Sequence, residues 1–234
     1  MNKKQQLIDF IKNGGVTADG KKRVVLCCVG ATGNGKSKIS VLFRKLMIDN
    51  KIGPVGIFSF STKLKEFSSE VFNIPIKYFY DSNLKDSKLS EPLLRYDIIS
   101  AKLKLDLTPR QILCMLGAGM RSIHPTYWID RLIEQVKQSE PKIAIIDDCR
   151  HENEIETIHS QFDDDCLVLT MYVTKFLPSS SDSDSSTDAG GDATHESEKM
   201  AQTYKQRSDL VFNNCKPMDQ ITSIDQFFDL VVSN

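Results

Sequence analysis

The chain has 234 residues, 40% of them hydrophobic and 26% charged, with 30 basic side chains against 31 acidic ones for a net charge of −1. That length allows a full core in one α/β domain, and the even charge balance excludes a broadly basic surface for nucleic-acid polymers or anionic membranes. Nowhere is there an apolar stretch long enough to cross a bilayer, and MNKKQQLIDFIKNGG lacks the apolar core of a signal peptide, so a cytoplasmic protein is expected. The six cysteines (Cys27, Cys28, Cys114, Cys149, Cys166, Cys215) form no C-x-x-C pair and several lie in apolar runs, as reduced structural thiols do.

Residues 1–22 are expected to be a flexible leader in which Leu7, Ile8, Phe10 and Ile11 make one short amphipathic turn or two before Gly14-Gly15 stop it, read as packing or a loose leader. Arg23 to Val29, RVVLCCV, has the length and apolar content of a strand, and Lys36 to Met47 carries apolar residues at helical spacing. Between them runs Gly30-Ala31-Thr32-Gly33-Asn34-Gly35-Lys36-Ser37, a complete match to G-x-x-x-x-G-K-[S/T]. Strand, glycine turn and helix is the order that phosphate binding requires. A helix N-terminus exposes unpaired N–H groups and a partial positive charge. Gly30, Gly33 and Gly35 let the backbone approach the ligand, Lys36 reaches the outer phosphates of a nucleoside triphosphate, and the Ser37 hydroxyl ligates magnesium.

Pro54 to Phe60 has the character of a buried strand and Thr62 to Phe72 that of a capped helix. Asn73 to Leu89 is less regular, and Glu91 to Leu105 reads between helix and loop. Thr108-Pro109 opens a helix running to about Ile123, and a second follows Pro125. KIAII (Lys142–Ile146) and CLVLTMYV (Cys166–Val173) are apolar strands. The acidic, serine-rich tract 176–196 has almost no apolar residues and is expected to be a mobile insert. Asp209 to Phe212 is a short strand, and Ile221, Ile224, Phe228 and Val231 form a stripe on a closing helix. Strands separated by helices imply an α/β fold, a parallel sheet with helices on both faces and its ligand at the carboxyl ends of the strands.

On the helix after Thr108, at 100° per residue, Arg110, Cys114, Gly117 and Arg121 fall within about 60° of one another. Two guanidinium groups around a glycine gap suit an anionic ligand; a solvated helix face is the alternative. Asp148 and Arg150, two apart at the end of KIAII, point the same way toward the phosphate end of the sheet. There they either serve a phosphoryl group and its metal or close the strand as an ion pair. Trp128 either flanks a base or anchors two helices.

TPRQILCMLGAGMRSIHPTYWIDRL, IAIIDDCRHENEIE, THESE and SDLVFNN, in that order behind the glycine loop, resemble the corresponding segments of phage-type deoxynucleoside monophosphate kinases. The resemblance implies a P-loop kinase fold with a mobile lid, and transfer of the γ-phosphoryl group of ATP to a deoxynucleoside 5′-monophosphate with Mg2+. It implies acceptor contacts at Arg110, Gly117, Trp128, Asp148, Arg150 and Glu154, with Lys36, Arg110, Asp148 and Arg150 acting in transfer and Asp147 or Asp148 joining Ser37 at the metal. It also makes a homodimer plausible. The lid here contains no arginine, which leaves Lys175, Lys199, Lys205 or Arg207 to supply its positive charge, and Glu196 and Glu198 of THESE serve either the family pattern or a helix cap. The rival readings are a kinase of the same branch with another phosphorylated acceptor, phosphomevalonate-like or dephospho-coenzyme A-like, and an inactive nucleotide-binding regulator.

Overall fold

The run RVVLCCV folds as strand β1 (Arg23–Val29), buried from Val24 onward. An apolar run without alternation needs cover on both faces, so it belongs in the middle of a parallel sheet. β1 pairs in parallel with β3 (Ile143–Ile146) on one side and β4 (Cys166–Val173) on the other. β2 (Val55–Phe58) adds in parallel to β3 and β5 (Leu210–Phe212) to β4. β6 (Val231–Ser233) closes the far edge antiparallel to β5, giving the order β2-β3-β1-β4-β5-β6. The carboxyl ends of β2, β3 and β1 therefore stand side by side at one end of the sheet.

The computed structural model describes residues 2–31, 33–89, 107–175 and 203–233. They divide into two compact units, residues 1–59 with 133–234, which hold the whole sheet, and residues 60–132. Thr32, Glu91 to Leu105, the expected insert at 176–196, Glu196 and Glu198 of THESE, and Lys199 lie outside the described residues.

In the sheet unit, one face presents Val24, Leu26, Ile145 and Leu169 to a single core. Helix α2 (Lys36–Asp49) covers it with Ile39, Phe43 and Leu46, and α1 (Lys3–Lys12) with Leu7 and Phe10. The leader expected to be flexible is instead packed over α1, because Leu7 and Phe10 complete the core and are at most 1% exposed. The ring of Phe227, from the C-terminal helix Ile224–Asp229, lies 5.1 Å from Phe43 and 5.0 Å from Phe212. Burial of each such ring stabilises by about 2–3 kcal/mol. On the opposite face, α8 (Glu152–Phe162) places His159 Nε2 3.5 Å from the Thr170 hydroxyl of β4. The second half of α7 (Tyr127–Ser139) lies beside α8, with Lys137 Nζ donating to Gln161 at 3.1 Å.

The expected closing helix is shorter than its apolar stripe. Ile221 precedes it and Val231 belongs to β6, because the apolar positions are shared between a six-residue helix and an edge strand. Helical spacing alone cannot separate those two uses.

In the second unit, α3 (Phe60–Phe72), α4 (Lys77–Tyr80), α5 (Ser82–Lys85) and α6 (Pro109–Ile123) surround a small core of Ile74, Phe79, Leu89, Ile112 and Leu113. The start of α6 is where the sequence places it. Thr108 and Gln111 form a reciprocal capping box and Pro109 occupies the first turn, satisfying two N–H groups that the helix leaves unpaired. The stretch expected to be irregular contains α4 and α5, each a single turn.

Candidate functional site

The glycine loop follows β1 directly. Gly30, Gly33 and Gly35 have φ of 141°, 84° and 88°, a region that costs a side chain about 1–2 kcal/mol per residue. At Gly30 space is also lacking, since an added Cβ would stand 2.7 Å from the Val173 carbonyl oxygen. Gly35 is the N-cap of α2 and offers no side chain to cap it, so the first-turn N–H groups are not taken up by a capping oxygen.

Asn34 ties the loop to the sheet. It is 4% exposed, and its Nδ2 donates to Val173 O at 2.8 Å. Its own carbonyl accepts from Asn214 Nδ2 at 3.0 Å, and the Asn214 N–H donates to the Thr174 hydroxyl at 2.9 Å. The loop is thereby held by the chain leaving β4 and by the chain leaving β5.

Lys36 Nζ donates to Gly30 O at 2.6 Å and to Ala31 O at 2.9 Å. Burial holds its pKa below the usual lysine value, and the Arg150 guanidinium depresses it further against the opposing pull of Cys28, Asp148 and Cys149. The Arg150 charge therefore acts on the space around Lys36. Asp148 enters it from the end of β3, where its Oδ2 accepts from the Ser59 hydroxyl at 2.5 Å. The neighbouring Asp147 N–H donates to Phe58 O at 3.0 Å, continuing the β2–β3 ladder by one residue.

Glu154 holds this turn from behind. It is 7% exposed, and its Oε2 accepts from the backbone N–H groups of Arg150 at 2.7 Å and His151 at 3.0 Å, completing the capping box of α8. The Arg207 guanidinium pairs with Glu152 at the start of α8.

The α6 residues have different surroundings. Arg110 pairs with Asp86, through the guanidinium Nε and again through Nη2 at 2.9 Å, with both side chains half exposed. The expected gap at Gly117 is filled, since a Cβ there would meet Leu64 Cδ2 at 3.2 Å and Arg121 Nη1 at 3.4 Å. Trp128 is 5% exposed, donates its indole N–H to Gly117 O at 3.3 Å, and meets the rings of Phe67 and Tyr127 edge-on. Of its two expected roles, this placement fits the anchor between helices. Gly117 is small because α3 and the Trp128 indole approach it closely.

In the sheet unit, the chemistry on offer is a set of backbone N–H groups at a helix start, an ammonium, a guanidinium and oxygen donors. Ser37 and the carboxylates of Asp147 and Asp148 are hard donors of the kind magnesium accepts. Among the described residues no three His, Cys, Asp or Glu side chains cluster to cage a metal. Sequence reasoning assigned no role to Ser59, Thr174 or Asn214. Their only signal was position, just beyond the carboxyl ends of β2, β4 and β5, where parallel sheets bind ligands.

No family model matches this sequence, and no curated protein does.

Proposed function

We propose that the protein has a P-loop kinase fold and transfers the γ-phosphoryl group of ATP to a deoxynucleoside 5′-monophosphate. The observation that carries this reading is the set of three positive-φ glycines leading from a central parallel strand into α2, with the Lys36 ammonium folded onto the Gly30 and Ala31 carbonyls of that loop. Burial, and after it the Arg150 charge, disfavour the Lys36 ammonium in the free protein, and a bound polyanion reverses the sign.

The glycine-loop N–H groups cradle the ATP phosphates, and Lys36 turns from the Gly30 and Ala31 carbonyls to the outer phosphates. Ser37, with Asp147 or Asp148, holds Mg2+, which when bound neutralises charge on the transferring group. Arg150 binds the acceptor phosphate. Glu154, buried and bonded to the Arg150 backbone, keeps that guanidinium aimed without contacting ligand. Arg110, Gly117 and Trp128 enter only through the resemblance. Within its own unit Arg110 pairs with Asp86, and Trp128 fixes α6. A phosphate monoester loses its second proton near pKa ~6, so the acceptor is already nucleophilic at neutral pH and needs no general base.

The test is ADP release at fixed Mg-ATP with a panel of deoxy- and ribonucleoside monophosphates, phosphomevalonate and dephospho-coenzyme A. Turnover with one or more deoxynucleoside monophosphates is expected. Turnover with another acceptor alone assigns the protein to the rival branch, and ATP binding without turnover on any acceptor makes it a binding module.

A further inference from the structure

We propose that Asn214 is a positioning residue of the phosphate loop, its side-chain amide fixing the Asn34–Gly35 peptide so that the Gly35 N–H is presented to bound phosphate. The proposal rests on the triphosphate reading above.

A trans peptide points its C=O and its N–H in opposite directions. Asn214 Nδ2 donates to the Asn34 carbonyl at 3.0 Å, so the Gly35 N–H of the same peptide is directed away from Asn214. The Gly35 φ of 88° permits that plane at no side-chain cost. A Cβ at Gly35 would also lie 3.4 Å from Asn214 Nδ2, which places the amide against the loop at this one peptide.

Asn214 is itself held rigid. It is 4% exposed and its backbone N–H donates to Thr174 Oγ1. Its Oδ1 is buried with no hydrogen-bond partner. A buried amide oxygen left unpaired is a standing cost that an apolar residue of similar size avoids. The half of the side chain in use is the donor, and rotating the amide sets oxygen against oxygen at Asn34. One orientation of Asn214 therefore corresponds to one orientation of the loop peptide.

The experiment is calorimetric titration of the full chain with inorganic tripolyphosphate in the presence of Mg2+, together with the Tm shift that this ligand produces. Asn214→Ala is expected to weaken tripolyphosphate binding about tenfold, the loss of one charge-assisted N–H contact, and to shrink the Tm shift. The KM of the phosphoryl acceptor stays unchanged. A residue with a merely structural role lowers the Tm of free and loaded protein equally and leaves the shift intact. Should Asn214→Ala fail to fold, Thr174→Val removes the acceptor that orients Asn214 and is expected to weaken binding about threefold. Wild-type affinity and an unchanged shift in a folded Asn214→Ala, or in Thr174→Val where that variant must serve, overturn the proposal. Failure of the wild-type chain to bind either tripolyphosphate or ATP instead removes the triphosphate reading, and needs no variant to detect.

Discussion

The Ser59 hydroxyl donates to the Asp148 carboxylate at 2.5 Å, joining the residue that leaves β2 to the pair that leaves β3. A hydrogen bond to a charged acceptor at this partly buried position contributes about 1.5–3 kcal/mol. Ser59→Ala should lower stability by about that amount in urea unfolding. With Asp148 less well oriented, turnover should fall about tenfold while the KM for ATP holds.

Lys36→Ala should abolish phosphoryl transfer, by at least about a thousandfold, while circular dichroism reports an unchanged fold. Near-normal turnover in this variant would remove the kinase reading.

Lys36 also sets a pH dependence. Its folded pKa is lowered from 10.5, chiefly by burial and then by Arg150, so between the folded value and 10.5 the unfolded chain binds the proton more tightly. Stability then rises with pH across that window, and the penalty is fully present below it. Compared with Lys36→Met, the unliganded wild-type protein should gain stability as pH climbs toward 10.5. Parallel stability curves for the two proteins would contradict the assignment.

Arg150→Ala should cost far more in turnover than in ATP binding, because the guanidinium serves the acceptor and the transferring group rather than the loop. Equal losses in kcat and in nucleotide affinity would place Arg150 on ATP instead.

Two glycines of the loop should respond differently to alanine. Gly30→Ala meets both a positive φ and the Val173 carbonyl oxygen at 2.7 Å, whereas a Cβ on Gly33 meets nothing within 4 Å. The first should cost about 2–4 kcal/mol and the second about 1 kcal/mol in equilibrium unfolding.

The most legible parts of the sequence were those where local chemistry and the global fold agree. RVVLCCV had to be central because it is apolar on both faces, and Thr108-Pro109 announced α6 through a cap and a missing donor. Asp148 and Arg150 were read as a pair from strand alternation, but β3 ends at Ile146 and both lie in the irregular chain beyond it, where alternation no longer fixes direction. What was not legible depends on partners distant in sequence. Nothing near Gly117 signals that Leu64 and the Trp128 indole close over it, so an arginine face with a filled groove looked like an open one. The leader was ambiguous because a ten-residue helix is marginal alone, and only the core decides whether Leu7 and Phe10 are buried. Asn214 and Asn34 lie far apart in the chain, and an asparagine after a short strand announces a turn more readily than a clamp.

The strand order has a consequence for how the chain is made. β3 lies between β1 and β2 in space but follows both in synthesis, with the whole second unit emerging in between. During translation β1 waits without either neighbour while the 60–132 segment is already free to collapse on its own small core. Vectorial folding should therefore pass through a stage in which the inserted unit is formed and the parallel sheet is not, and this is when the nascent chain is most exposed to aggregation.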